Sequence, residues 1–386
     1  MRKTAIALAM TSLLSSSAFA ALDLEELRLP KATQAMPDVV NRYQALVDSL
    51  DDKYRQQKDE LIMTQMVAHQ GERLWQQAVR DVQSGGQDDR SLYWSRLAMK
   101  KTLKESKPAF NMADWQRSIL LKAVEKSSRG FSDIHFDDDS QIRILLTGFD
   151  PFFLDRNIDQ SNPSGLTALA LDGYKFSVDG KKAQIETVMI PVRFADFDQG
   201  IIESLLTPVY RENSVNAIFT VSMGRDDFDL ERFPGRNRSA AAPDNLNVLT
   251  GATAQSPQAP MFDGKPLYGP EFVEFSLPVG AMQSVKGKWK INDNHTVTTL
   301  SRGEFDASSL SELQNTTQVN GSVNGSGGGY LSNEISYRAV LLGQRFNSGI
   351  KVGHIHTPRV KAYEAETEMA IVDQVKEMVK AAATRL

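Results

Sequence analysis

The strongest constraint on the fold is a change of pattern at Ile142. Downstream of it, short β-rich runs alternate with amphipathic segments. The runs that predict strands are Ile142–Thr147, Ile185–Val192, Ala217–Ser222 and Gly349–Thr357. Strands that alternate with helices form sheets that are covered by helices on both faces. The sequence therefore predicts an α/β domain over residues 141–386.

Upstream of this point, residues 21–129 are predicted to be all-helical. Apolar residues recur at helical spacing between Val39 and Leu50, and two further helices are predicted from Ser91 to Leu103 and after Asn111. Three of the four tryptophans fall in this region, namely Trp75, Trp94 and Trp115. At this spacing we interpret them as the core of a helical bundle. The helical region is also the surface through which the chain could form an oligomer.

Two segments are predicted to be irregular. Residues 130–140 form a linker, and we interpret its run of three aspartates as a solvated turn because the ligand spacing of a calcium loop is absent. Residues 246–328 are rich in Gly, Ser, Thr, Asn and Pro and end in a Gly/Ser/Asn stretch over 315–329. We interpret this segment as an insertion beside the functional site or a lid.

The first 20 residues have the pattern of a secretory signal peptide. Arg2 and Lys3 supply positive charge, Ile6–Leu14 is mostly apolar, and Ala18-Phe19-Ala20 matches a signal peptidase site. The apolar stretch is too short to span a bilayer comfortably, and no membrane anchor is predicted downstream. We expect cleavage after Ala20 and export, most simply to a bacterial periplasm.

Composition excludes several kinds of chemistry. The chain has no cysteine, so it can form neither a disulfide nor a thiol nucleophile. Its 44 basic and 48 acidic residues give a net charge of −4, and the basic ones are scattered, which argues against a nucleic-acid surface. The five histidines do not cluster with acidic residues, so no metal and no cofactor is predicted.

Three residues distant in the sequence have the chemistry of an activated-nucleophile hydrolase. Ser332 follows glycines 327–329 and begins an amphipathic segment, His356 ends the last predicted strand, and Glu231 follows the third strand. A nucleophile, a base and a carboxylate that orients the base are the parts of such a site. Gly-rich backbone at a helix N-terminus can also donate N–H groups to an oxyanion. The alternative for Ser332 is a helix N-cap.

Further residues near the predicted strand ends are candidates for ligand contacts. Phe149 and Phe152 follow the first strand, where ligands of α/β sheets bind, and their rings could sandwich a small flat group or simply be core. A second histidine, His354, precedes His356 by two residues. We expect the two rings to lie on opposite faces of the strand, so that only one can point to a given site.

Eight different short motifs follow one another between residue 142 and the C-terminus. They are Thr147–Phe152, Asn162–Ser164, Ile190–Val192, Gly224-Arg225, Glu231-Arg232, Pro243–Asn245, Tyr330–Asn333 and Gly353–Pro358. In this order and spacing they resemble the motifs of the pyroglutamyl peptidase I (pyrrolidone-carboxylate peptidase) family. The resemblance does not extend to residues 21–129 or to much of 246–328.

The resemblance implies a three-layer α/β/α sandwich with a central mixed sheet. It also implies removal of an N-terminal 5-oxoproline from peptides by a Cys-His-Glu triad. By position, Glu231 and His356 match the family's triad, and Ser332 stands where the family has its cysteine. Phe149 and Phe152 match aromatics that line the pyroglutamyl ring pocket. Within the matching motifs we also assign substrate binding to Gly224, Arg225, Tyr330 and Leu331.

The presence of Ser332 in place of a cysteine leaves more than one functional hypothesis open. A hydroxyl is a far weaker acid than a thiol, so His356 would have to remove its proton during attack. A serine also resists the oxidation that an exposed low-pKa cysteine suffers outside the cytosol. The first hypothesis is an exported hydrolase with a Ser-His-Glu triad that acts on peptides with a blocked N-terminus. The alternative is an inactive protein that binds pyroglutamyl or related peptide ends, or a partner protein. A purely structural export protein ranks last, because Glu231 and His356 are both retained.

Overall fold

The chain folds into a seven-stranded mixed sheet with helices on both faces, preceded by a helical region. The computed structural model describes residues 21–315 and 321–386. The predicted signal peptide, residues 1–20, lies outside the described residues, as do residues 316–320 of the Gly/Ser/Asn stretch.

Within the described residues, the helical region contains seven α-helices and one π-helical turn. They are α1 (Leu24–Leu27), α2 (Leu29–Ala35), α3 (Pro37–Val40), α4 (Gln44–Gln56), α5 (Glu60–Asp81), the π-turn Val82–Gly86, α6 (Arg90–Glu105) and α7 (Asp114–Ser127). The helices that follow are α8 (Pro163–Leu171), α9 (Phe194–Asp198), α10 (Ile201–Glu212), α11 (Val279–Gln283), α12 (Leu310–Leu313), α13 (Leu331–Arg345) and α14 (Ala365–Ala383).

The strands all lie downstream of the helical region. They are β1 (Ile142–Phe149), β2 (Tyr174–Val178), β3 (Lys181–Ile190), β4 (Ala217–Met223), β5 (Phe228–Glu231), β6 (Met261–Phe262), β7 (Lys265–Pro266), β8 (Ile291–Asn294), β9 (Thr296–Thr299), β10 (Gly303–Asp306), β11 (Ser322–Asn324) and β12 (Lys351–Thr357).

The main sheet has the strand order β2-β3-β1-β4-β12-β5-β8. The four central strands β3, β1, β4 and β12 are parallel, whereas β2 and β5 run antiparallel to their inner neighbours. β1 is buried along nearly its whole length, as expected for a central strand with both faces covered, and β2 alternates half-buried and exposed residues, as expected at an edge. The carboxyl ends of the parallel strands therefore meet at one edge of the sheet.

Two hydrophobic clusters place helices on the two faces of this sheet. On one face, α8 and α14 pack against Ile144 and Leu146 of β1 and Phe219 of β4. On the other face, α10 and α13 pack against Leu145 of β1 and Ile218 of β4. The observed layers confirm the predicted α/β/α architecture with a helical region in front of it.

The helical region shares the core of the α/β domain. Trp75 and Leu74 of α5 belong to the same buried cluster as Ile144 and Leu166, and Trp75 Nε1 donates to Asp172 Oδ2 at 3.3 Å. Residues 130–140, predicted as a linker, also pack inward, and their apolar side chains contact the cluster on the α10/α13 face. The helices and the sheet thus form one continuous core.

The tryptophan prediction is correct for two residues and wrong for the third. Trp75 and Trp94 are fully buried, but Trp115 is 65% exposed. Its helix, α7, turns Leu120 and Val124 toward α5 and α6, and Trp115 lies off that face. A tryptophan at helical spacing from apolar neighbours is therefore not sufficient evidence for a core position.

The segment 246–328, predicted as an insertion or a lid, is partly built into the main sheet. β8 pairs with β5 at the sheet edge, and β9, β10 and β11 form a separate three-stranded sheet beside it. The edge pairing fixes Asn294 opposite Glu231. The segment therefore contributes to the framework of the candidate site.

No helix among residues 21–315 and 321–386 has both the length and the hydropathy of a membrane-spanning segment.

Candidate active site

A cavity opens at the carboxyl ends of the parallel strands, where ligands bind in open α/β sheets. The cavity and the open space in front of it measure about 310 Å³. Its lining combines five separate segments of the sequence: Phe149, Phe152, Asn162, Val192, Ser222, Met223, Tyr330, Leu331 and Ser332. Of the predicted substrate-binding residues, Phe149, Phe152, Tyr330 and Leu331 line it.

Glu231 and His356 form a hydrogen-bonded pair beside this cavity. The Nδ1 of His356 lies 2.5 Å from Oε1 of Glu231, whose side chain is fully buried. Because a carboxylate only accepts, His356 donates from Nδ1, and its Nε2 is then the basic nitrogen. The His356 side chain is 9% exposed to solvent. This is the arrangement in which a carboxylate fixes the tautomer and orientation of a catalytic base.

The second oxygen of Glu231 is held by a residue of the edge strand. Asn294 Nδ2 donates to Glu231 Oε2 at 2.8 Å and to the Ser326 carbonyl at 2.9 Å. Both carboxylate oxygens of Glu231 are therefore committed, which restricts rotation of the carboxylate. Sequence reasoning missed Asn294 because its segment has the composition of a loop, and only the β5–β8 pairing brings it to Glu231.

Ser332 is the second residue of α13, so its hydroxyl lies at a helix N-terminus on the cavity wall. The N-cap residue, Tyr330, makes no capping hydrogen bond with its side chain, and the first N–H groups of a helix have no intrahelical acceptors. The Ser332 hydroxyl donates a long hydrogen bond, 3.4 Å, to the Gly327 carbonyl. Among the described residues, no hydrogen bond joins Ser332 to His356.

The loop before α13 connects Ser332 to Glu231 indirectly, through Gly327. Gly327, which accepts the Ser332 hydrogen bond, lies against Glu231, since a Cβ at Gly327 would be 3.6 Å from Glu231 Cγ. Gly328 has φ +85°, a conformation that favours glycine and turns the chain into the helix. The predicted Gly-rich segment before Ser332 thus forms the turn that leads into α13.

The two histidines of β12 lie on the same face of the strand, contrary to the expectation from the sequence. Their ring centroids are 4.7 Å apart, edge to face. The expectation was wrong because side chains alternate along a strand, so residues two apart share a face and Ile355 takes the other. Both rings therefore lie on the α13 side of the sheet.

His354 is fully buried between two hydroxyl groups of β4. Its Nδ1 lies 2.8 Å from Thr220 Oγ1, and its Nε2 lies 2.8 Å from Ser222 Oγ. Burial, with the charge of neighbouring His356 as a smaller cause, lowers the pKa of His354 well below its ordinary value. His354 is therefore neutral at physiological pH. Sequence reasoning missed Ser222, which is one of many serines and became notable only through its contact with His354.

The turn that carries the two phenylalanines is anchored by the helical region. Asp150, between Phe149 and Phe152, is buried and ion-paired with Arg96 of α6 at 2.9 Å and with Arg129 at 2.6 Å. Burial alone would raise the pKa of Asp150, but the two guanidinium groups outweigh it and hold the pKa below its ordinary value. The backbone carbonyl of Asp150 also accepts a hydrogen bond from Asn162, which lines the cavity.

Two predicted substrate-binding residues do not line the cavity. Gly224 lies against the imidazole of His356, and a Cβ at this position would be 2.6 Å from His356 Cβ. The Arg225 side chain is 65% exposed and pairs with Asp229 at 3.4 Å. Gly224 thus provides space for the histidine, and the exposed Arg225 side chain pairs with Asp229 instead of lining the cavity.

Within the described part of the chain, no three His, Asp or Glu side chains are grouped as ligands of a metal ion. Near the cavity, the described residues offer the Ser332 hydroxyl and the His356–Glu231 imidazole–carboxylate pair.

Comparison with known proteins assigns the chain to a family. Residues 143–265 and 289–361 match the family described as PA0049, C-terminal domain, and residues 8–125 match the PA0049 N-terminal domain. The chain belongs to the PA0049 family. Most of the segment 246–328 thus falls inside the C-terminal domain of that family, and only residues 266–288 of it separate the two matched parts.

A relative in Pseudomonas aeruginosa strain PAO1, described as uncharacterized protein PA0049, is 28% identical over 387 aligned residues. The alignment covers 77% of this chain and 70% of that protein. Among solved structures, a mutant pyrrolidone carboxyl peptidase from Pyrococcus furiosus superimposes with a TM-score of 0.42 at 20% identity, covering 64% of this chain and 100% of that one. Another structure of that peptidase gives 0.41 at 21% identity, covering 62% and 98%.

Proposed function

We propose that this PA0049-family protein is a hydrolase that removes N-terminal pyroglutamate from peptides by acyl transfer to Ser332. The observation that carries the proposal is the buried Glu231–His356 pair beside a cavity whose wall includes Ser332 at a helix N-terminus. A buried carboxylate that fixes a histidine tautomer near a serine at a helix N-terminus supplies the orienting group, the base and the nucleophile that acyl transfer requires.

In the proposed reaction, Ser332 Oγ attacks the carbonyl carbon of the scissile amide while its proton passes to Nε2 of His356. Glu231 stabilises the imidazolium through the Nδ1–H hydrogen bond, and Asn294 holds Glu231 in place. N–H groups at the start of α13 face the oxyanion. The proton on His356 then passes to the leaving amine, and water hydrolyses the acyl-enzyme to release 5-oxoproline.

The cavity chemistry supports a blocked, uncharged N-terminus in the substrate. Its lining consists of apolar, aromatic and neutral polar side chains, and no charged side chain is among those described. A free ammonium group would lose its hydration there without gaining a carboxylate partner. A flat, neutral lactam ring suits a site flanked by Phe149 and Phe152.

The position of the Ser332 hydroxyl favours a second candidate, a binding protein without catalysis. The hydroxyl donates to the Gly327 carbonyl, and no hydrogen bond to His356 activates it in the structure described. In that case the same cavity would hold pyroglutamyl or related peptide ends, and the ester-forming step would not occur.

The decisive experiment is hydrolysis of a pyroglutamyl amide by purified protein, with Ser332→Ala as the matched variant. The hydrolase proposal expects turnover that the variant loses by several orders of magnitude. Ser332→Cys should retain or gain activity and become sensitive to thiol reagents, which should leave the cysteine-free wild type unaffected. An inert wild type that still binds pyroglutamate would select the binding protein instead.

We further propose that the protein is exported, because residues 1–20 have the charge, apolar run and small-residue end of a signal peptide. The assay is fractionation of expressing bacteria together with N-terminal sequencing of the product. A mature chain that begins at Ala21 in the periplasmic fraction supports export, whereas an uncleaved cytoplasmic protein contradicts it.

A further inference from the structure

A second serine on the cavity wall, Ser222, is hydrogen-bonded to a buried histidine. Ser222 ends the buried part of β4, lines the cavity, and is only 5% exposed. Its Oγ lies 2.8 Å from Nε2 of His354, which is itself fully buried. The proposed reaction uses neither residue, so their pairing requires a separate explanation.

One arrangement of protons turns all the contacts around His354 into hydrogen bonds. Thr220 Oγ1 lies 3.3 Å from the Gly353 carbonyl, which only accepts, so Thr220 donates to it. Thr220 must then accept from His354 Nδ1–H at 2.8 Å. A neutral imidazole with its proton on Nδ1 carries a lone pair on Nε2, so the Ser222 hydroxyl donates to Nε2.

The pair is poorly suited to nucleophilic catalysis. A serine that loses its proton to His354 would create an imidazolium in a fully buried position, and the group behind the ring is the Thr220 hydroxyl rather than a carboxylate. A buried cation without a counter-ion is strongly disfavoured. The adjacent His356, by contrast, has Glu231 behind it.

Because the Ser222 hydroxyl donates its only proton in a hydrogen bond to His354, its oxygen presents only lone pairs to the cavity. Such a group accepts a hydrogen bond from a ligand N–H, and it repels a ligand oxygen at the same place. A site built to pair with a substrate N–H discriminates against an analogue that lacks the N–H, because the buried polar group is then left unpaired.

We propose that Ser222, oriented by His354, is a specificity-determining residue that accepts a hydrogen bond from the lactam N–H of the pyroglutamyl ring. This inference rests on the proposed function, since it takes the pyroglutamyl ring as the occupant of the cavity. His354 is the positioning residue, because it fixes the direction of the Ser222 proton without facing the ligand.

The test compares binding of two uncharged ligands that differ in one group. Pyroglutamic acid amide carries the lactam N–H, and 5-oxotetrahydrofuran-2-carboxamide has a ring oxygen in its place. Dissociation constants are measured calorimetrically on Ser332→Ala, which removes turnover, and as competition constants on wild type. We expect the lactam to bind roughly tenfold tighter than the lactone, the ratio expected for one hydrogen bond.

Two variants then test whether Ser222 and His354 cause the preference for the lactam over the lactone. Ser222→Ala and His354→Phe should each reduce the lactam preference to below about threefold, the first by removing the acceptor and the second by freeing the serine proton. Ser95→Ala is the matched control, because Ser95 is fully buried in α6 and its hydroxyl finds no hydrogen-bond partner among residues 21–315 and 321–386. It should keep the full preference.

The possible outcomes distinguish failure of the proposed role of Ser222 from failure of the hydrolase proposal. Equal binding of lactam and lactone to wild type overturns the role of Ser222 and leaves the hydrolase proposal intact. So does a lactam preference that survives Ser222→Ala. If neither ligand binds and no pyroglutamyl amide is cleaved, the proposed function fails and the inference about Ser222 fails with it. The comparison on wild type needs no variant, so it decides the matter even if His354→Phe does not fold.

Discussion

Replacement of Glu368 by glutamine should stabilise the protein at alkaline pH and have little effect in acid. Glu368 lies in α14, is fully buried, and accepts a hydrogen bond from Ser161 on Oε1, while its buried Oε2 has no hydrogen-bond partner in the part of the chain that the structure describes. The neighbouring carboxylate of like charge is Asp88. Burial, opposed by the Ser161 hydrogen bond, raises the pKa of Glu368 to about 7.

The direction in which pH changes the free energy of unfolding follows from proton linkage. The ordinary pKa is 4.5 and the folded-state pKa is about 7, so the folded protein holds a proton in this interval that the unfolded chain releases. Stability is therefore lost as pH rises from about 4.5 to about 7, and the loss is complete above that range. A shift of this size corresponds to roughly 3 kcal/mol of unfolding free energy. Glutamine retains an acceptor for Ser161 and removes the titration.

The assay is urea unfolding of wild type and Glu368→Gln at pH 5 and pH 8. We expect an increase in unfolding free energy of up to about 3 kcal/mol at pH 8 and a much smaller change at pH 5. Glu366→Gln, an exposed position on the same helix, is the control and should change stability little at either pH. A variant that is no more stable than wild type at pH 8, or equally stabilised at both values, would refute the reasoning.

Three further predictions concern the site. Gly224→Ala should lower kcat for a pyroglutamyl amide at least tenfold, because its Cβ would lie 2.6 Å from His356 Cβ and displace the ring; full activity would contradict this close packing. Asn294→Ala should lower kcat roughly tenfold by releasing Glu231, and unchanged kinetics would show that Asn294 is dispensable. Arg96→Met should cost about 3–5 kcal/mol in urea unfolding, since it removes one guanidinium from buried Asp150; a loss below about 1 kcal/mol would contradict the pairing.

The sequence predicted the fold class and most of the cavity wall because those features depend on local patterns. The β-rich runs at Ile142 and Ala217 are buried strands, and the Gly-rich approach to Ser332 leads into a helix as expected. Phe149 ends a central strand and Phe152 follows it, so topology alone places them at the edge of the sheet where ligands bind.

What the sequence did not reveal depends on pairing between distant segments. Asn294 lies in a polar stretch without strand periodicity, and it reaches Glu231 only because β8 adds to the sheet edge. Trp115 has helical spacing but lies off the packed face of α7. The error over His354 was of another kind, since strand periodicity places it beside His356 and that periodicity was applied wrongly.

The helical region is best understood as part of the site's support. Arg96 of α6 reaches Asp150, whose backbone carbonyl binds Asn162 on the cavity wall, so a helix outside the sandwich fixes two sides of the cavity. Asp89 accepts a hydrogen bond from the backbone N–H of the same Asn162, which adds a second link from the helical region. Because these groups are buried, breaking either link leaves a buried polar group with one hydrogen-bond partner fewer. The requirement for a rigid cavity therefore accounts for the continuous core that joins the helices to the sheet.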